Sequence, residues 1–328
     1  MARAIEVPIP TAFVQESTET QDIQQYIEDC ADEDFFDQHE AHILNKTGKT
    51  QALWPVKPGQ RKIDEVFYRQ MAERGFVRML VAKARRVGSS TRLCRHGYRH
   101  IVKYGGAFTG IVHRERSTRK VFAMIRRFWS LQSPEVRLAK GEVDQTKEFT
   151  LTADDGEERL FSCATAGDPD ALRSEANQVL LLSEVAFYKD ADTLAPAALN
   201  TVDTGVGCIL LESTANGASG WWFDFVQASL LPKDHPESNE YEVVFVSWLD
   251  DPDCLKSATM AQIDAWSRWR AAIEAADPES RREAAHVLKM SPEDEDVVSG
   301  CGMSLEQYLW WSSKLTDVAE NQKLPQIS

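Results

Sequence analysis

A hydrophobic segment that runs directly into a basic, serine-rich loop is the feature that most restricts the fold of this chain. Residues 77–82 are mainly apolar, residues 83–91 read KARRVGSST, and residues 90–103 have the composition of a helix. The order strand, short loop, helix is typical of sites that bind nucleotide phosphates, because backbone N–H groups at the helix start point toward the anion. We therefore predict a phosphate-binding loop in an α/β fold. Its residues are Lys83, Arg85, Arg86, Val87, Gly88, Ser89, Ser90 and Thr91.

The loop differs from the standard pattern G-x-x-x-x-G-K-[ST] in the position of its lysine. If Gly88 is the second glycine, Lys83 stands where the first glycine belongs. Ser90 is then the final hydroxyl, and Ser89 stands where the lysine belongs. Both ends of such a loop flank the phosphates, so a lysine at either end can reach the same charge. Backbone N–H groups of residues 86–90 are predicted to hold the β- and γ-phosphates, Lys83 to neutralise them, and Ser90 to bind Mg²⁺. A plain strand-to-helix turn with basic surface residues is the alternative.

A second apolar run, at residues 178–187, contains an acidic residue near its end. Its sequence QVLLLSEVAF places Ser183 and Glu184 directly after four apolar residues. Such a run is typical of a buried parallel strand whose tip reaches a site. We expect Glu184 to face Lys83 across a bound triphosphate. A cap for the helix that follows is the alternative role for Glu184.

A third apolar run, at residues 207–212, is followed by the sequence STANG. Hydroxyl groups such as those of Ser213 and Thr214, placed at a strand end, can detect a γ-phosphate through hydrogen bonds. The Asn-Gly pair also suits an ordinary turn between a strand and a helix. Both interpretations of this segment are open from its residues alone.

The three segments, in this order and spacing, resemble the motifs of viral terminase large subunits, the ATPases that move DNA into capsids. The resemblance covers about residues 50–320. In that family the strand before residue 184 belongs to the Walker B motif, whose usual pair is Asp-Glu. Ser183 stands here at the first position, so the resemblance implies a Mg²⁺ role for Ser183 and the role of base for Glu184. It also implies that Ser213 and Thr214 form the coupling motif, which links hydrolysis to movement.

Two further site residues acquire an expected role only from this resemblance. Arg173 lies in the turn-rich loop before the Walker B segment, where terminases often carry an arginine that reaches the γ-phosphate of a neighbouring subunit. Gln60 follows a Pro-Gly pair, where the family uses a glutamine to recognise adenine. Trp54 or Phe67 is then expected to pack near the base. A plain loop arginine and an ordinary surface turn are the respective alternatives.

The resemblance also implies an architecture, ligands and partners. The expected fold is an ASCE-type P-loop NTPase, an α/β fold with a mostly parallel sheet flanked by helices and a small C-terminal helical lid or linker. We expect an acidic N-terminal arm at residues 1–48, an ATPase core at 49–256 and a helical subdomain at 257–328, without the nuclease domain of the family. The implied ligands are ATP and Mg²⁺. The implied partners are double-stranded DNA, the portal protein of a procapsid, the small terminase subunit and further copies of the chain in a ring. The expected location is the cytoplasm of the host cell.

Charge and composition narrow the function classes. Thirty-seven basic and 51 acidic residues give a net charge of −14, which argues against a protein covered by nucleic acid. Residues 83–127 nevertheless hold thirteen Lys or Arg and a single acid, Glu115. This segment forms either a local basic face for phosphate contact or a solvated helix face.

No apolar run is long enough to span a membrane. The six cysteines lack a C-x-x-C pair, which favours a reduced intracellular protein without structural zinc.

Two other function classes are open from the sequence. One is a nucleic-acid-dependent P-loop ATPase of the helicase type, which acts without a capsid. The other is a degenerate, non-enzymatic P-loop domain, in which Ser89 and Ser183 mark lost activity.

Overall fold

The computed structural model describes residues 18–45, 47–168 and 176–322. The described chain begins with α1 (Thr18–Asp29), α2 (Glu33–His39), β1 (His42–Leu44), β2 (Thr50–Ala52) and α3 (Pro58–Arg74). The main sheet and its helices follow: β3 (Val77–Lys83), α4 (Ser89–Tyr104), β4 (Gly106–Val112), α5 (Glu115–Ser130), β5 (Ala139–Asp144), β6 (Glu148–Thr152), β7 (Glu158–Thr165), β8 (Val179–Ser183), α6 (Ala191–Leu199), β9 (Cys208–Ser213), α7 (Trp221–Leu230) and β10 (Glu242–Val246). The last elements are α8 (Met260–Glu274), α9 (Pro278–Leu288), α10 (Pro292–Cys301) and α11 (Leu305–Gln322).

An eight-stranded sheet in the order β10-β3-β9-β8-β4-β7-β6-β5 organises the molecule. Its strands are parallel from β10 to β7, while β6 and β5 are antiparallel additions at one edge. Strand β9 lies between β3 and β8, so the three apolar runs identified in the sequence are direct neighbours. Their carboxyl ends meet at one edge of the sheet, where ligands bind in open α/β folds. The structure confirms the predicted α/β class with a mostly parallel sheet flanked by helices.

The central strands read as continuous apolar runs because both faces of the sheet are covered. Alternate residues of β9 enter different cores: Cys208 and Leu210 pack with α3, α4 and α5, whereas Ile209 and Leu211 pack with α6 and α7. The period of two along a strand distributes the apolar side chains between the two faces. Glu212 and Ser213 continue this strand and are fully buried polar residues at its carboxyl end.

A helical unit with its own apolar cluster follows β10. Trp269, Leu288 and Tyr308 belong to this cluster, and Trp248 at the end of the sheet region packs against it. Side chains cap the starts of three of its helices: Thr259 for α8, Asp277 for α9 and Ser291 for α10. No helix in the described ranges is both long enough and apolar enough to cross a membrane.

The expectation that residues 1–48 form an arm outside the core is wrong for α2 and the residues that follow it. Phe36 and Ala41 belong to the main apolar cluster, and Asp37 is fully buried. The Asp37 carboxylate forms ion pairs with Arg92 and Arg95 of α4. Three carboxylates of α2, those of Glu33, Asp34 and Asp37, thus form ion pairs with arginines of α3 and α4.

The proposed basic face at residues 83–127 is smaller than its sequence indicates. The side chains of Arg92 and Arg95 are 1% exposed, and Arg92 also contacts Asp64 of α3. Asp64 accepts a further hydrogen bond from His96, at 2.8 Å, and burial lowers the pKa of His96 to about 4. These charges serve internal packing. The exposed cations of the segment include Arg85, Arg86, Arg114, Arg116, Arg119 and Lys120.

We predict that Asp37→Asn destabilises the fold because it removes a charge shared by two buried guanidinium groups. The free energy of unfolding should fall by about 3 kcal/mol, the lower end for a broken buried pair, because Asp64 and Glu33 still neutralise part of the charge. Asp34→Asn is the matched control on the same helix, since Asp34 pairs with Arg61 at a half-exposed site and should cost about 0–1 kcal/mol. Equal losses in urea denaturation would contradict a buried clamp between α2 and α4.

Candidate active site

The loop between β3 and α4 forms an open helix start beside a cavity. Gly88 precedes the first residue of α4 with φ +83° and ψ +9°, and no side chain caps the helix. The N–H groups of the first helical turn therefore lack capping partners and carry the positive end of the helix dipole. Lys83, Gly88, Ser90 and Thr91 are among the residues that line the adjoining cavity of about 600 Å³. This arrangement suits an anion such as a phosphate group.

Lys83 and Glu184 meet at the carboxyl edge of the sheet. The Lys83 amine, whose side chain is 6% exposed, lies 2.8 Å from Glu184 Oε1 and 3.7 Å from Glu212 Oε2. Burial disfavours the charged amine, but the carboxylates of Glu212 and Glu184 outweigh it and raise the pKa of Lys83. Burial likewise opposes ionisation of Glu184, but the hydrogen bond from Lys83 prevails and the pKa of Glu184 is lowered. The pair is therefore ionised at neutral pH. The two side chains are in direct contact, and their placement on either side of a triphosphate stays a prediction.

The Glu184 carboxylate is held on two sides. Its Oε2 accepts hydrogen bonds from the backbone N–H and the hydroxyl of Thr214, both at 3.2 Å. Glu184 also has a left-handed backbone, with φ +59° and ψ +47°, which costs a non-glycine residue about 1 kcal/mol. Such a strained conformation persists where the surrounding structure requires it. The side chain of Glu184 does not cap the short helix that follows, so the capping alternative is wrong.

Ser213 and Thr214 have different surroundings. The Ser213 hydroxyl accepts a hydrogen bond from the N–H of Ala186 at 3.1 Å and donates one to the carbonyl of Thr214 at 2.9 Å. Ser213 thus joins the segments that follow β8 and β9. Thr214 is the residue of the pair that contacts Glu184 directly.

Glu212 is the central site residue that sequence reasoning missed. It is fully buried on β9 and accepts hydrogen bonds on Oε1 from Ser90 at 2.5 Å and from Ser183 at 2.7 Å. Its Oε2 has no hydrogen-bond partner in the part of the chain that the structure describes. One signal in the sequence was available, because an acid that interrupts a buried apolar strand needs a partner. The apolar pattern of segment 207–212 predicts only a strand that leads to Ser213.

A second cavity, of about 430 Å³, also borders this loop. Trp54, Gln60 and Thr91 are among its lining residues. The Gln60 amide donates to the carbonyl of Gly88 at 3.1 Å, and its oxygen accepts from the N–H of Lys57 at 3.1 Å. Gln60 is thus next to the loop between β3 and α4, with both polar atoms of its amide bonded to the backbone, and its contact with a base stays a prediction. The suggestion that Phe67 packs near the base is wrong, because its ring is buried against His96 with centroids 4.2 Å apart.

The remaining predicted residues have less specific positions. Arg85 and Arg86 are exposed, and Arg86 adopts a left-handed backbone with φ +65°. Val87 belongs to the main core, so only its backbone can take part in a site. Ser89 is buried, and its hydroxyl has no hydrogen-bond partner in the described ranges. Arg173 lies outside the described residues.

The site residues are suited to Mg²⁺. No group of three or more His, Cys, Asp or Glu side chains capable of holding a metal occurs among residues 18–45, 47–168 and 176–322. Mg²⁺ does not need such a cage, because one or two carboxylates together with substrate phosphates and water satisfy it. The Ser90 hydroxyl and the Glu212 carboxylate, whose buried Oε2 has no hydrogen bond among the described residues, are ligands of the required kind.

Comparisons with known proteins give structural matches only. No family model and no curated protein match the sequence. The ATPase domain of the Thermus phage P74-26 large terminase is 17% identical over 70% of this chain and 97% of that chain, with a TM-score of 0.40. The HK97 bacteriophage large terminase is 14% identical over 87% of this chain and 55% of that chain, with a TM-score of 0.49. The large terminase of the thermophilic bacteriophage D6E in complex with ATP-gamma-S is 12% identical over 66% of this chain and 49% of that chain, with a TM-score of 0.46. These similarities assign no role to any residue of this chain.

We predict that Gly88→Ala is more damaging than Gly156→Ala, although both glycines have φ +83°. Either substitution incurs the cost of a left-handed alanine, about 1 kcal/mol. A Cβ at position 88 would also lie 2.9 Å from Gln60 Nε2, whereas a Cβ at position 156 meets nothing within 4 Å. Displacement of Gln60 breaks its hydrogen bond to Gly88 and should add about 1 kcal/mol. Equal losses in urea denaturation would show that Gln60 does not brace the loop.

Proposed function

We propose that this chain is the ATPase domain of a terminase large subunit, which hydrolyses ATP to move double-stranded viral DNA into a procapsid. One observation carries the proposal: Lys83, Glu184, Ser90 and Glu212 converge at the open start of α4 on the carboxyl edge of a parallel sheet. An open helix start together with an ionised lysine suits the phosphates of a nucleotide, and a positioned carboxylate suits activation of water. Phosphoryl transfer requires mostly positioning and charge neutralisation, which this set of groups can supply.

The nucleotide phosphates would lie at the cavity beside residues 86–90. Backbone N–H groups of the loop would hold the β- and γ-phosphates, and the Lys83 amine would neutralise them. Mg²⁺, when bound, would neutralise charge on the phosphate oxygens. Ser90 would contribute a hydroxyl ligand, with Ser183 close by. Gln60 and Trp54 would contact the base in the second cavity, which adjoins the same loop.

Glu184 would act as the base that activates the attacking water. Its contact with Lys83 holds the carboxylate ionised, which is the form that accepts a proton. A triphosphate would compete with Glu184 for the Lys83 amine and thereby release one carboxylate oxygen toward water. Thr214 would keep the other oxygen in place, and Ser213 and Thr214 would transmit the state of the γ-phosphate to β9.

The motor function requires partners that this chain alone does not supply. The proposed partners are double-stranded DNA, the portal protein of the procapsid, the small terminase subunit and further copies in a ring, inside the host cell. Arg173 is the proposed arginine that acts on the nucleotide of a neighbouring subunit. The exposed Arg85 and Arg86 are the alternative candidates for this role. Such an arginine can contribute a factor of ~10³ or more to the rate.

We predict that Glu184→Gln separates binding from turnover. The variant should bind ATP with an affinity within about threefold of the native protein, but steady-state hydrolysis should fall by about 10²-fold or more, as for loss of a general base. Glu237→Gln, in an exposed loop, is the control and should hydrolyse ATP normally. Normal turnover by Glu184→Gln would reject the assignment of the base.

We predict that Lys83→Ala reduces nucleotide affinity more than Ser89→Ala does. Loss of the buried amine removes the charge opposite the phosphates, and a decrease of about tenfold or more corresponds to one charge-assisted contact. Because Lys83 also neutralises two carboxylates, urea denaturation must show that the variant is folded. The reverse ranking in equilibrium binding of a fluorescent ATP analogue would mean that the loop holds the phosphates in another way.

Two alternatives have clear tests. A helicase-like ATPase would move on DNA without a procapsid, so ATP-dependent uptake of DNA only into portal-bearing procapsids supports the packaging motor. A degenerate, non-enzymatic domain is suggested by Ser183 in the place of the usual aspartate. Steady-state ATPase measurements with a magnesium titration distinguish that domain from an enzyme.

A further inference from the structure

At the tip of β8, Ser183 stands where the resemblance to the Walker B motif predicts an aspartate. Ser183 carries a neutral hydroxyl, which is a weaker partner for a divalent cation than an ionised carboxylate. On the neighbouring strand β9, Glu212 is the direct partner of Ser183 in the parallel ladder. Neighbouring strands are about 4.8 Å apart, so the long side chain of a glutamate on β9 can reach the space beside the tip of β8.

The contacts of Glu212 show that its carboxylate occupies this space. Ser90 at the start of α4 and Ser183 at the end of β8 both donate to Glu212 Oε1, at 2.5 and 2.7 Å. The carboxylate therefore bridges the phosphate loop and the strand tip from a fully buried position. Burial of a polar group costs free energy unless it has partners, and the two hydroxyl donors supply them for Oε1.

The second oxygen of Glu212 has an ion pair with Lys83 but no hydrogen bond from the described part of the chain. Glu212 Oε2 is buried without a hydrogen bond from residues 18–45, 47–168 or 176–322, and its distance to the Lys83 amine is 3.7 Å. Lys83 itself lies closer to Glu184, at 2.8 Å. A buried polar atom without a hydrogen bond requires an explanation, such as an ion or a water. A divalent cation beside Ser90 would satisfy this oxygen.

We propose that Glu212 supplies the negative charge of the Mg²⁺ site, in place of the aspartate that is absent at position 183. Ser90 would bind the cation directly, Glu212 would contact it directly or through water, and Ser183 would orient Glu212 as a hydrogen-bond donor. Hydroxyl, carboxylate, phosphate and water oxygens together form the shell that Mg²⁺ prefers. In this arrangement the carboxylate comes from β9 instead of β8, and it lies at the same place at the edge of the sheet. This inference rests on the proposed nucleotide site.

The test removes the carboxylate from β9 and introduces one at position 183 on β8. Mn²⁺ serves as a spectroscopic substitute for Mg²⁺, and its binding to the protein with ADP is followed by the electron paramagnetic resonance of free Mn²⁺. Glu212→Gln should weaken Mn²⁺ binding in the ADP complex by about 10- to 100-fold, while ADP affinity in EDTA changes little. The double variant Ser183→Asp with Glu212→Gln should recover Mn²⁺ affinity to within about threefold of the native protein. Glu237→Gln is the control and should bind Mn²⁺ normally.

The outcomes separate this inference from the proposed function. If the native protein binds ADP neither with Mn²⁺ nor in EDTA, the nucleotide site itself is rejected. If it binds ADP with Mn²⁺ and Glu212→Gln retains the same Mn²⁺ affinity, the inference is overturned and Glu212 is only a buried counter-ion of Lys83. Should Glu212→Gln not fold, Ser183→Asp alone decides the question. Two carboxylates at the site should raise Mn²⁺ affinity, and an unchanged affinity would overturn the proposal.

Discussion

The positive charge of Lys83 is the interaction on which the rest of this site depends. Its amine lies between Glu184 and Glu212, so three neighbouring strands contribute charged groups to one buried spot. The contact with Lys83 lowers the pKa of Glu184. The same amine is placed where a phosphate group could replace a carboxylate as its partner. A relocated lysine at the start of the loop is suited to this, because β3 places it beside β9.

A second ionic cluster fixes the start of α4, next to the loop that follows β3. Arg92, two residues after Ser90, is held by Asp37 of α2 and Asp64 of α3. Its position in the first turns of α4 means that the orientation of the helix start depends on buried charges from two other elements. A site that must hold phosphate groups needs rigid support of this kind, because small displacements of the positioning groups are costly for catalysis.

The sequence was informative where local pattern and chemistry coincide. The strands that lead to Lys83 and Glu184 could be predicted because short continuous apolar runs are typical of strands buried on both faces. The position of α2 could not be predicted, because the ion pair between Asp37 and Arg92 joins residues far apart in the chain, and acidic composition alone indicates solvation. The role of Glu212 was hidden for a related reason. Its partners Ser90 and Ser183 lie on two other elements, and only the insertion of β9 between β3 and β8 brings the three together.

That insertion of β9 also ties ligand binding to folding. Lys83 and Glu184 are 101 residues apart and Ser90 and Glu212 are 122 apart in the chain, so no short fragment can assemble the site. A ligand that needs all of these groups binds only the completed sheet and not the unfolded chain. Its binding free energy would therefore be added to the stability of the whole domain, in proportion to the logarithm of its concentration above the dissociation constant. The resistance of the protein to heat or protease would then vary with the nucleotide supply around it.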